Sequence, residues 1–101
     1  MSWKRDIGSK IRELRIVCCQ TSAHSLGARQ FVTKNYLDVM DNHPYFSFIV
    51  RECKNAQPTV MARYDYGVER RLPVEHMSSD DIETIVEELI NEADEINSYV
   101  A

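Results

Sequence analysis

Apolar and polar positions follow one another along the chain in a pattern that predicts six elements. Residues 14–19, Leu-Arg-Ile-Val-Cys-Cys, form a short, mostly apolar run that predicts a first strand. A polar loop over residues 20–25 follows. Ala28, Phe31, Val32, Tyr36, Val39 and Met40 then recur at helical spacing, which predicts a helix from an N-cap at Ser25 to about Asn42. Asn42-His43-Pro44 ends it, because proline drives the residue before it out of the α region. Residues 46–53 predict a second strand, Lys54-Asn55-Ala56-Gln57 a tight turn, and residues 58–66 a third strand. Gly67 breaks that strand, and a short fourth follows to about Val74. Ser78 and Ser79 cap a last helix over residues 79–97, acidic and amphipathic. Asp80 and Asp81 stand in its first turn, and Ile82, Ile85, Val86, Leu89, Ile90 and Ala93 form its buried face. Residues 1–11 are expected to be a flexible N-terminal extension.

The order is β-α-β-β-β-α, a single α/β domain. Strand, helix, strand is a crossover unit, so the first two strands should be parallel neighbours. The four-residue link to the third strand is too short for another crossover. It spans about 13 Å, enough to hop over one strand at ~4.8 Å spacing, and the third strand must then run antiparallel. The expectation is a four-stranded mixed sheet with two helices on one face. Alternation places Leu14, Ile16, Cys18, Phe48, Val50, Val60, Ala62 and Tyr64 on the helix side. Arg15, Val17, Cys19, Ile49, Arg51, Cys53, Met61 and Arg63 fall on the other side, which no predicted helix covers. That second face is either a plain wet surface kept soluble by arginines or a docking surface, since arginine and methionine are enriched at interfaces.

Charge adds a lengthwise asymmetry. The net charge is −4, and all 12 Lys and Arg lie at or before Arg71, where 7 acids make the balance +5. Residues 72–101 hold the other 9 acids and no Lys or Arg. A nucleic-acid coat is disfavoured, and docking against proteins is favoured. No apolar run approaches the ~20 residues of a membrane span.

Candidate chemistry is sparse. With three glycines there is no phosphate loop. Cys18, Cys19, Cys53, His24, His43 and His76 lack metal-ligand spacing, so no metal or cofactor is expected, and the histidines read as surface or loop residues. Glu83, Glu87, Glu88 and Asp94 read as a solvated helix face. Tyr64 and Tyr66 read as core or rim. Cys19 and Cys53 end neighbouring strands with the same parity: they are either small strand-end residues or a redox pair, if their Cα atoms approach within ~7 Å. A helix N-terminus, with Arg51 or Arg63 nearby, would lower the Cys19 pKa.

Arg12-Glu13-Leu14-Arg15-Ile16, Cys19-Gln20-x-Ser22, Ser25-x-Gly27-x-Arg29-x-Phe31, Arg51-Glu52-Cys53, Gln57-Pro58 and Ala62-Arg63-Tyr64-x-x-Gly67 come in that order. Together they resemble the thioredoxin-like accessory-subunit family of mitochondrial NADH:ubiquinone oxidoreductase (complex I), whose domain is shared with small mitochondrial ribosomal proteins. The resemblance covers about residues 12–89. It implies a thioredoxin-like fold and a non-catalytic subunit that supports assembly or stability. It places the chain on the matrix side of the inner membrane, in the peripheral arm, with other complex I subunits as partners, the large iron–sulfur subunit foremost, and with no nucleic acid and no membrane insertion. Cys19 and Cys53 match two family cysteines between which a disulfide is considered, and Pro58 matches a proline that is cis in thioredoxin folds. Cys18, Met61 in place of a frequent tryptophan, and Ser47-Phe48 in place of a proline-rich approach to the second strand depart from the family pattern. Arg15, Arg51, Met61 and Arg63 are the docking candidates. A mitochondrial ribosomal protein and a thiol–disulfide oxidoreductase are the competing readings.

Overall fold

Leu14, Ile16 and Cys18 alternate with Arg15 and Val17, and this alternation becomes the central strand of the sheet. The computed structural model describes residues 2–100, with the side chains of all but Ser2, Tyr99 and Val100. Its strands are β1 (Glu13–Cys18), β2 (Ser47–Glu52), β3 (Thr59–Arg63) and β4 (Glu69–Pro73). They lie in the order β2-β1-β3-β4. β1 runs parallel to β2 and antiparallel to β3, and β3 is antiparallel to β4. The link after β2 does hop over β1, as its length allows. The strand order is compatible with a thioredoxin-like fold.

Register sets the two faces. Leu14 stands between Phe48 and Ala62, and Ile16 between Val50 and Val60. All but Val50 are buried, beneath α2 (Leu26–Asn42) and α3 (Ser79–Asn91). α2 contributes Ala28, Phe31 and Val39 to this core, and α3 contributes Ile82, Val86, Leu89 and Ile90. Ser78 caps α3, its side chain accepting from the Asp81 N–H at 3.1 Å. The Tyr64 hydroxyl donates to the Leu89 carbonyl at 2.7 Å and ties the end of β3 to α3; burial pushes its pKa up to about 12. Gly27 meets the segment before α3 at its backbone: a Cβ there would lie 1.8 Å from the Met77 carbonyl oxygen.

Four expectations are corrected. Residues 1–11 are not a loose extension. Ser2–Lys10 is a helix, α1, and Trp3, Ile7 and Ile11 at spacing four are buried in the common core. Trp3 stacks on Phe31 with centroids 6.2 Å apart. Its indole N–H donates to Glu83 at 3.2 Å, so Glu83 is not simply solvated. Lys4–Asp38 at 2.8 Å and Lys10–Asp94 at 2.7 Å hold the helix down, as does contact between the His43 ring and the Lys4 carbonyl at 2.7 Å. α1 therefore joins the core, which was expected to rest on two helices alone.

The last helix is not continuous. It breaks at Glu92, and α4 (Ala93–Val100) turns toward the 3-10 turn Asp65–Gly67. There Asn97 accepts from the Asp65 N–H at 3.0 Å and donates to the Lys10 carbonyl at 3.2 Å, and Ala93 is fully buried. The bond before Pro58 is trans, as are all peptide bonds among the described residues. The chain reverses at Asn55 instead, whose φ of 61° lies in the left-handed region that asparagine tolerates. Pro58 is buried, and its carbonyl takes the Val74 N–H at 3.0 Å.

Two substitutions test this packing. Trp3→Ala removes a buried aromatic and should cost about 3–5 kcal/mol in urea unfolding; a loss below about 1 kcal/mol would mean that α1 is not docked. Gly27→Ala, through the clash with Met77, should cost about 3 kcal/mol or more, whereas Ala28→Gly next to it should cost far less.

Candidate functional site

Two features stand out, and both follow from the ends and faces of β1. The chain leaves β1 at Cys19 in a loop that is pinned from several sides. The Ser25 hydroxyl accepts from the Cys19 N–H at 3.0 Å, so the helix-capping serine is spent on the loop and not on α2. Arg29, one turn into α2, donates to the Cys19 and Ser22 carbonyls, both at 2.8 Å. So held, the thiol of Cys19 collects donors: the Ser22 hydroxyl at 3.1 Å and the Asn55 N–H at 3.3 Å. Donors to sulfur favour the thiolate. The Ser22 hydroxyl first, then backbone N–H groups of Thr21, Asn55 and Ser22, lower the Cys19 pKa from an ordinary value near 9 to about 6. The arginines expected to do this, Arg51 and Arg63, take no part. Cys18, turned into the core, is pushed up by burial.

Cys53 leaves β2 beside this loop, its N–H donating to the Cys18 carbonyl at 3.0 Å. The two strand ends are therefore neighbours, as parity predicts. All three cysteines are free, Cys19 buried and Cys53 exposed.

The second feature is the sheet face that α1, α2 and α3 leave uncovered. Its charged residues interlock across the strands. Arg71 reaches Glu69 at 3.1 Å, Glu69 takes Arg63 at 2.8 Å, Arg63 lies 3.8 Å from Glu13, and Glu13 pairs with Arg15 at 2.9 Å. Arg63's hydrogen bond, then that of Arg71, holds the Glu69 carboxyl below the usual range. Met61 is flanked in register by Arg15 and Arg71 and is only 2% exposed. It forms the floor of this face and not a projecting knob, because the alkyl stems of its arginine neighbours shield it. Arg51 is exposed on β2 and makes no ion pair among the described residues. Arg15, Val17, Arg51, Cys53, Met61 and Arg71 rim an open depression of about 380 Å³, shared with Thr59.

Residues 28–79 match the family model described as the mitochondrial ribosomal protein L51 / S25 / CI-B8 domain. The NADH dehydrogenase (ubiquinone) 1 alpha subcomplex subunit 2 of Arabidopsis thaliana is 39% identical over 90 residues, 89% of this chain and 93% of that protein. The protein of that name in Mus musculus is 32% identical over 89 residues, 86% and 90% of the two chains. The NADH-ubiquinone oxidoreductase 10.5 kDa subunit of Neurospora crassa is 30% identical over 90 residues, 89% and 96%. The chain belongs to this family.

Family membership accounts for the domain, while the residues that organise the two features come from the structure. The docking candidates Arg15, Arg51, Met61 and Arg63 do share one face. Sequence reasoning missed Glu13 and Glu69, which stand at the same parity as the arginines and bind them together; that parity was the available signal. It also missed Arg29 and Asn55, which act through loop closure and leave no periodic trace.

The thiol is testable in solution. Thiolate absorbance lost in a Cys19→Ser variant should titrate near pH 6, and Ser22→Ala should move that midpoint up toward 9. At pH values between the two, the unfolded chain holds the Cys19 proton and the folded chain has lost it. This contribution to stability is thus complete above about 9 and fades as pH falls toward 6. A wild-type midpoint near 9 would contradict the hydrogen-bond geometry.

Proposed function

We propose that this chain is an accessory subunit of the mitochondrial NADH dehydrogenase, complex I. The observation that carries the reading is the match to the plant, mammalian and fungal subunits over 86–89% of the chain, well beyond the shared domain core. The chain is mitochondrial, and its partners are other subunits of the complex. No helix among the described residues is long and apolar enough to cross a membrane. Its proposed place is the matrix side of the inner membrane, in the peripheral arm against the large iron–sulfur subunit. It performs no turnover of its own there and supports assembly or stability. The uncovered face with Arg15, Arg51, Met61 and Arg63 is the proposed docking surface, and the Cys19 and Cys53 loops are a proposed redox-sensitive pair beside it.

The ribosomal reading is disfavoured by the surface. Of the twelve Lys and Arg in the chain, eight sit in ion pairs: Lys4, Lys10, Arg12, Arg15, Lys34, Arg63, Arg70 and Arg71. The phosphate backbone of RNA demands a run of uncommitted cations.

Native separation of mitochondrial complexes, followed by detection of this chain, decides between the readings. Co-migration with NADH dehydrogenase activity is expected. Sedimentation with ribosomal subunits would overturn the proposal, as would stoichiometric absence from the complex.

A further inference from the structure

Among the described residues, the charges of the uncovered face leave one arginine unpaired at the β2 corner. Read from β4 across β3 to β1, they alternate: Arg71, Glu69, Arg63, Glu13, Arg15. Each carboxylate is thus shared by two guanidinium groups. The chain stops at β1. On β2 stands Arg51, register partner of Val17, with no carboxylate beside it on the same face among the described residues. Glu52, its neighbour in sequence, pairs in register with Cys18 and belongs to the helix side. Among the described residues the face carries four arginines against two acids, and of the four only Arg51 has no acid partner.

The surroundings indicate what sits there. Val17 and Ile49 are only half-buried, and Met61 closes the floor next to Arg15. Arginine over an apolar floor is the composition of a protein interface centre. The depression of about 380 Å³ is not enclosed, which suits a protein segment better than a small ligand that needs burial on most sides. A single uncommitted guanidinium is too little for a phosphate backbone.

We propose that a partner protein in complex I sets an aspartate or glutamate between Arg51 and Arg15, with an apolar neighbour of that residue covering Val17 and Ile49. The inserted carboxylate joins Arg51 to the alternating series and so carries it across all four strands. This rests on the reading of the chain as a complex I subunit and adds to it the chemistry of the contact.

Lysine chemistry gives a direct test. Carbodiimide joins a lysine amine to a carboxylate in contact with it and leaves guanidinium groups untouched. Complex I assembled with an Arg51→Lys variant should, after carbodiimide treatment, yield a peptide from this chain joined through position 51 to an Asp or Glu of another subunit. Wild-type complex should lack that peptide, while any product through Lys54 appears in both. Arg51→Glu, at an exposed position, should leave the melting of the isolated chain unchanged and lower its assembled fraction by about tenfold or more, as for a reversed interfacial charge. If both variants assemble like wild type and no link forms at position 51, the proposed carboxylate contact is wrong while the complex I reading stands. If the wild-type chain itself is absent from the complex, that reading falls, and this inference with it.

Discussion

Everything in this molecule depends on β1 being covered on one side only. It is one of the two inner strands, with a parallel neighbour on one side and an antiparallel one on the other, and its side chains divide between a core and a bare face. A slip of one residue would carry Arg15 into the core and Leu14 into water, so the apolar pattern fixes the register strongly. Trp3, Ile7 and Ile11 add to the same side. No described helix competes for the other.

A sheet face without a covering layer must manage its own exposed surface, and here arginines do so. Their stems shield Met61, and their heads are held apart by shared carboxylates, so Met61 and Glu13 are buried although no described helix covers the face. Exposed pairs of this kind contribute little stability one by one. Their value lies in geometry: each guanidinium is fixed by the next acid in the series. The ends of β1 and β2 obey the same logic at a smaller scale. Two parallel strands finish at one edge, so the loops after them meet, and the Ser22 hydroxyl and Asn55 N–H converge on Cys19 from opposite loops.

Most of the sheet was legible, because period-two alternation and the short Lys54–Gln57 link leave few topologies. The parity of Leu14, Ile16, Phe48 and Val60 and the parallel and antiparallel pairings follow from those features alone. The docking residues were legible as a face but not as a network, since ion pairing depends on side-chain reach across strands. α1 escaped because three apolar residues at spacing four among charged ones are a weak signal until Phe31 and Glu83 supply partners. The break at Glu92 escaped because the helical pattern continues through it; what turns the chain is Asn97, which finds both Asp65 and Lys10. The thiol's environment escaped too, because its causes are hydrogen bonds from residues 22 and 55, while a sequence reading looks for charges.

The charge asymmetry along the chain shows why linear order misleads about surfaces. A body of +5 followed by a stretch with nine acids and no cation looks like two opposed poles. Folding instead interleaves them: Asp94 meets Lys10, Asp80 and Glu83 meet Lys34, and Glu92 meets Arg70. Three cations of the basic half are paired in this way and five more pair with acids of the body itself, so few remain for an outside partner. A domain shared between ribosomal and respiratory proteins cannot by its fold announce which assembly it serves. The surface separates them: RNA would need the cations that these ion pairs have taken up, whereas a protein partner needs only the one corner of the bare face that they leave alone.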